Sequence, residues 1–180
     1  MKAFHNDPDI KAQCLAHVRS GHSMRALDFG IPHVLQALMG KIGAVGPAEF
    51  IEAIPVGADL SMVWPRFALW LLADPANGAI QFASYDRSRS AVHSVVSLYA
   101  LWIAGEKPDV KKWKQACDDA WRARCTSAEA AAWASKYELT GVVINAVNAT
   151  TAAAAAVKAT LDESRKRQSE KLIELLKEAK

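Results

Sequence analysis

The chain has 180 residues, 51% hydrophobic and 23% charged, with a formal net charge of +3. That length fits one domain able to bury its own core, and the composition excludes a disordered polymer. The positive surplus lies wholly in residues 91–180, with 14 basic and 11 acidic side chains against eight of each in residues 1–90. So small an excess argues neither for a dedicated nucleic-acid binder nor for an acidic mimic of DNA.

Three widely spaced cysteines, Cys14, Cys117 and Cys125, suit a reduced cytoplasmic protein better than a disulfide scaffold. The opening MKAFHNDPDIKAQ has no apolar run of the kind a secretory leader needs. The best membrane-span candidate, AIPVGADLSMVWPRFALWLLAD (53–74), is interrupted by Asp59 and Arg66, so no membrane segment is expected. One domain over 1–180 is expected. By composition it divides into a part punctuated by proline and glycine (1–105) and an alanine-rich helical part (106–180).

In chain order, proline in a first helical turn after Asx or Gly recurs as a start signal. Pro8 opens a helix capped by Asp7 with Ile10, Cys14, Leu15 and Val18 on one face. Pro32 opens a second, closed by Gly40, and Pro47 a third, with glycine-containing connectors over 20–30 and 40–46. Pro55-Val-Gly57 reads as a turn and Asp59 or Ser61 as a cap. Phe67, Trp70 and Leu71 then fall at i, i+3, i+4, with Pro65 opening or kinking the helix and Asp74-Pro75 stopping it. Trp64, Phe67, Trp70 and Leu71 are large enough to anchor a core, with Trp64 and Arg66 the alternative rim of a pocket.

GAIQFASYD is the one place where a short extended segment is expected. Asp86 then caps a helix with Val92, Val95, Val96, Tyr99, Trp102 and Ile103 on its buried face, ended by Gly105. A helix over 108–125 is predicted to bury Trp113, Cys117 and Trp121, opposite a solvated salt-bridge row of Lys114, Asp118 and Arg122. Thr126-Ser-Ala-Glu129 matches a capping box, Gly141 a break, and 142–180 one long helix or two abutting ones. The expected fold is all-α, a compact bundle of roughly six to eight helices with a long terminal one.

Chemistry-bearing patterns are sparse. Cys14 and His17 share a helix face with His22 close behind, a weak set for zinc without a fourth ligand, and no metal or cofactor is expected. No nucleophile elbow, Walker loop or dinucleotide fingerprint occurs, and the paired acids are adjacent and point apart on a helix. Arg87 and Arg89 stand in a first helical turn, where cations oppose the macrodipole. Lys107, Lys111, Lys112 and Lys114 cluster before Arg122, and Arg165, Lys166 and Arg167 form a third group among acids.

The segments MKAFHNDPDIKAQCLAHVRS, IPVGADLSMVWPRFALWLLADPANG and SEKLIELLKEAK together resemble a family of tailed-phage and proteobacterial proteins without an assigned activity. The resemblance covers most of the chain, although the family carries a longer Gly/Cys-containing loop where this chain has GHSMRALDF. The alanine-rich tail also resembles immunity proteins of bacterial toxin systems. The resemblance implies a cytoplasmic, non-enzymatic binding protein that inhibits a bacterial host protein or ribonucleoprotein, as an anti-CRISPR does. The expected partner surface is Arg87, Arg89, Lys111, Lys112, Lys114 and Arg122. Nucleic acid is the less favoured partner because acids interleave with most of the bases. The alternatives are a toxin antidote, or a small enzyme or ligand-binding protein with a pocket near His17, His22 and Arg66.

Overall fold

In the computed structural model the chain is all-α, with seven α-helices and no strand among the described residues. Those residues are 2–24, 28–76, 78–83, 86–122 and 158–180, without the side chains of 82, 87, 121, 122 and 158–162. The capping box at 126–129, the break at Gly141, the alanine run after it and Cys125 lie outside them. Two compact units form, Met1–Phe67 with Arg165–Lys180, and Ala68–Ser164.

In the first unit, α1 (Pro8–Arg19) begins at its proline, and the Asp9 N–H donates to Asp7 Oδ1 at 2.8 Å. Only Cys14 of the four expected apolar positions is fully buried; Ile10, Leu15 and Val18 are half-buried. The second helix, α2 (His33–Ile42), runs through Gly40 instead of stopping there and ends at Gly43 (φ 65°). A side chain at Gly43 would oppose that left-handed turn, whereas Gly40 needs no such freedom. The short α3 (Pro47–Ala53) has Pro47 in its first turn, and Glu49 Oε1 accepts the Gly46 N–H at 3.4 Å.

Asp59, not Ser61, caps the next turn, accepting the Ser61 N–H at 3.0 Å, and that bond holds its carboxyl below the usual range. A 3₁₀ turn at Leu60–Met62 leads into α4 (Val63–Ala73). Pro65 falls in its first turn, where a missing N–H leaves no helical bond unmade.

Trp64 and Phe67 are buried in the first unit, as expected of the 53–74 stretch, among Phe4, Leu35, Leu38, Ile42, Phe50, Ile51 and Leu60. The long α7 (Lys158–Glu178) adds Leu172 and Leu176, both fully buried, and the Lys180 carbonyl accepts the Asp59 N–H at 2.9 Å.

The N-terminus forms a left-handed hook. Phe4, His5 and Asn6 have φ of 53°, 50° and 65°, a conformation costing about 1–2 kcal/mol per residue. It is held by bonds from Ala3 N to Ala58 O (2.9 Å), Gly57 N to Ala3 O (3.0 Å) and Phe4 N to Phe29 O (2.8 Å). Lys11 closes it from below. Its ammonium lies 5.7 Å from the Phe4 ring centroid and donates to Glu52 O (3.0 Å) and Ile54 O (2.6 Å) at the end of α3. Burial lowers the Lys11 pKa and the Glu52 carboxylate partly restores it.

In the second unit, residues 79–82 form a 3₁₀ turn where an extended segment was expected. With no strand to pair among the described residues, their backbone closes local bonds instead, Gln81 N to Gly78 O (3.2 Å) and Ala83 N to Ile80 O (3.3 Å). The helices α5 (Asp86–Ile103) and α6 (Val110–Arg122) pack antiparallel. Ala91 meets Ala120 at one end; at the other Trp113 stands edge-on to Tyr99 (4.9 Å between centroids) and Trp102 (6.2 Å).

The buried faces are therefore rotated from the expected ones. On α5, Ser88, Ala91, Val95, Leu98 and Tyr99 are buried, while Val92, Val96, Trp102 and Ile103 are half-buried. On α6, Ala116 and Ala120 are buried and Trp113 and Cys117 half-buried. Small residues let two helices approach closely, and the indole overhangs the seam because it does not fit within it. Glu106 N to Leu101 O (2.9 Å) and Gly105 N to Trp102 O (3.0 Å) end α5 as expected. No helix among the described residues is long and apolar enough to cross a membrane.

Candidate functional site

A concavity in the first unit grows out of how α1 ends. Gly21 (φ 80°) closes that helix with His22 N donating to His17 O (3.3 Å) and Gly21 N to Val18 O (3.0 Å). This termination brings the side chains three before and two after the cap together, which here are His17 and His22. Their rings stack with centroids 4.9 Å apart and planes at 23°. The Ser23 carbonyl lies 3.1 Å from His17 Nε2; a carbonyl only accepts, so Nε2 carries the proton.

Beyond His22 lies a cavity of about 330 Å³. Val18, Met24, Ala37 and Pro47 give it an apolar lining, while His22, Ser23, Gln36 and Lys41 supply polar groups and Gly40 completes the wall. Gln36, Ala37, Gly40 and Lys41 share one side of α2 by their helical spacing. Gln36 is 5% exposed; its Nε2 donates to Ile31 O at 2.8 Å, and its Oε1 is buried without a partner among the described residues. Lys41 is exposed, pairs with no acid among the described residues, and is the one lining residue with a fixed charge.

Of the sequence candidates, only His22 lines this cavity. His17 stands behind it and Cys14 is fully buried, where burial pushes its thiol up to about 11 and disfavours the thiolate that binds zinc. No three His, Cys, Asp or Glu side chains gather as a metal site among the described residues. Trp64 belongs to the core and Arg66 is exposed, and neither lines this cavity. Gln36 and Lys41 were not singled out from sequence, and Gly40 was read there only as a helix stop. Their signal was a mid-helix glycine that terminates nothing, with polar side chains one and four residues away.

The cationic candidates separate by helix. Arg89 Nη2 donates to Ala83 O (3.4 Å), tying it to the backbone before α5. Arg87 and Arg122 lie within α5 and α6, with their side chains outside the described residues. Lys111, Lys112 and Lys114 are exposed in the first turn and a half of α6, which has no acid in its first turn. The expected Lys114–Asp118 pair does not form, and Gln115 Nε2 instead donates to Asp119 Oδ1 at 2.9 Å. By contrast, on α7 Lys166 approaches Glu170 at 4.0 Å and Lys171 approaches Glu174 at 2.6 Å.

The fold and these sites define an all-α chain with a small polar-rimmed cavity in one unit and, in the other, a lysine cluster without an ion pair among the described residues. No protein-family model, curated protein or solved structure matches it.

Proposed function

We propose that the chain acts by association, as a non-enzymatic inhibitor of a bacterial host macromolecule in the manner of an anti-CRISPR. In this reading, Lys111, Lys112 and Lys114 dock on an acidic protein face. One observation supports it. Lys111 and Lys112 stand in the first turn of α6 against its macrodipole and Lys114 just beyond it, with no ion pair among the described residues. The Asp109 carboxylate caps that end, accepting the Lys111 N–H at 3.0 Å. Such placement costs each first-turn cation about 0.3–1 kcal/mol at low salt, which the cap offsets in part. Packing does not repay that cost, because all three side chains are exposed. An acidic partner would repay it through complementary charge, which speeds encounter and fixes orientation. The bases of α7 show the alternative, an exterior where acids accompany lysines at i+3 and i+4.

The test is affinity capture of tagged protein from bacterial lysate, followed by measurement of complex mass and salt dependence. The expected result is one defined complex with an acidic host protein, weakened by salt and lost in K111E/K112E/K114E but retained in K166E/K171E. Equal capture by both triple and double variants would overturn the reading. So would a partner released by ribonuclease or nuclease, which would point to nucleic acid.

A further inference from the structure

Val110 stands where the fold gives no reason for it. Of the large apolar side chains described, only Val56 and Val110 are exposed, at 36% and 77%. Val110 opens α6, and the Asp109 carboxylate already caps that end by accepting the Lys111 N–H at 3.0 Å. Neither capping nor core packing calls for valine there, and a β-branched residue is an indifferent helix former. A single exposed apolar residue is ordinary, but this one is not isolated. Trp113 is its i+3 neighbour on the helix surface, half-buried, with Trp102 edge-on to it at 6.2 Å between centroids.

Helix geometry places the charges around that patch. With about 3.6 residues per turn, Lys114 lies one turn above Val110 and Lys111 flanks the two, whereas Lys112 falls on the opposite side. The exposed Lys111 and Lys114 thus border an apolar strip of Val110, Trp113 and Trp102. Tyr99 backs the rings, 4.9 Å from Trp113 and 6.3 Å from Trp102 between centroids. Tryptophan is enriched at the anchors of protein interfaces, where a charged border sets orientation.

Other occupants fit this surface less well. An anionic membrane or a nucleic acid would press its charge equally on the exposed Glu106 and Asp109 at the same helix end. A second copy of the chain would have to offer the acids of α6. Asp118 and Asp119 are half-buried, and Asp119 already accepts from Gln115. An acidic protein segment can place its carboxylates on the lysines and keep them clear of the two exposed acids.

We propose that α6 binds an acidic amphipathic segment of a partner protein, whose apolar side chains cover Val110 and Trp113 while its carboxylates meet Lys111 and Lys114. The inference rests on the reading that these lysines dock on an acidic protein. It adds an apolar anchor to that surface and ranks Lys112 below Lys111 and Lys114.

The experiment titrates the full chain into two fluorescently labelled peptides of about 15 residues, long enough to form a helix. One carries leucine along one face and glutamate elsewhere; the other has serine in place of every leucine. Anisotropy is read at low and high salt. The leucine peptide should saturate in the micromolar range, about tenfold tighter than the serine peptide. That margin should survive salt, which screens charges and not apolar contact. Val110→Ser should erase the margin with the helical signal intact; if serine frays the helix, the near-isosteric Val110→Thr must reduce it instead. Lys114→Glu should weaken the leucine peptide about tenfold and Lys112→Glu only about twofold. Equal affinity for the two peptides, a margin that Val110→Ser leaves intact, or equal losses at Lys112 and Lys114 would overturn the anchor and leave the lysine reading in place. Saturation by neither peptide would overturn both. So would tighter binding to vesicles rich in phosphatidylserine than to the leucine peptide, lost in Val110→Ser, which would make the surface a membrane contact.

Discussion

The N-terminal hook and the α5–α6 hairpin are held in opposite ways. The hook keeps three non-glycine residues left-handed, and its strain survives because backbone bonds from two other segments, at Gly57–Ala58 and at Phe29, converge on it while the Lys11 ammonium lies over the Phe4 ring. The hairpin carries no such strain and rests on two alanines at one end and three aromatic rings at the other. The difference teaches where each region can tolerate change. A structure over-determined by its surroundings fails when its one buried anchor is removed, whereas a seam of small side chains leaves its outer face unconstrained. The exposed lysines of α6 sit on the hairpin, where fold stability demands least of the surface.

The largest expected effect breaks that contrast directly. Phe4 is fully buried and joins the hook to the core, so Phe4→Ala should cost about 3–5 kcal/mol. Trp113 is half-buried, and Trp113→Ala should cost less than half as much, mainly its edge contacts to Tyr99 and Trp102. Urea unfolding followed by amide signals within each unit would measure both. Comparable losses would mean that the hairpin is as tightly determined as the hook.

A second test uses pH. Burial pushes the Cys14 thiol from 9.0 to about 11, so the folded chain holds that proton more tightly than the unfolded chain does. The resulting stability is fully present below pH about 9 and is lost as pH rises through about 11, a change of about 3 kcal/mol. Urea midpoints across that window should fall more steeply for the native chain than for Cys14→Ala. Parallel slopes would place the thiol in contact with water. Trapping with a thiol reagent near neutral pH should spare Cys14 until the chain unfolds and modify the half-buried Cys117 sooner.

Much of this architecture was legible in the residues, for identifiable reasons. Pro8, Pro47 and Gly105 act through backbone geometry that does not depend on neighbours, and the structure places each at the helix end expected of it. The 53–74 stretch was readable as core because Trp64 and Phe67 are too large and apolar to be left out of one. The rotations of α5 and α6 were not legible, since hydrophobicity alone favours tryptophan over alanine while close helix contact favours alanine. The hook was invisible because Phe, His and Asn rarely adopt left-handed geometry, and only distant partners such as Ala58 and Phe29 impose it. The cavity escaped for a similar reason, because a helix termination whose angle no local pattern states brings His22 and Gln36 to one lining.

The smallest effect sharpens the reading of α2. Of two glycines three residues apart, the sequence pointed to Gly40 as the stop of α2, and the structure ends that helix at Gly43 instead. Gly43 adopts φ 65°, so Gly43→Ala should cost about 1 kcal/mol. Gly40 has ordinary helical geometry with open space at its Cβ, so Gly40→Ala should gain about 1 kcal/mol. Opposite shifts in the urea midpoint would confirm that the left-handed turn at the end of α2 needs glycine only at position 43. A loss at both positions would mean that α2 requires glycine at position 40 as well.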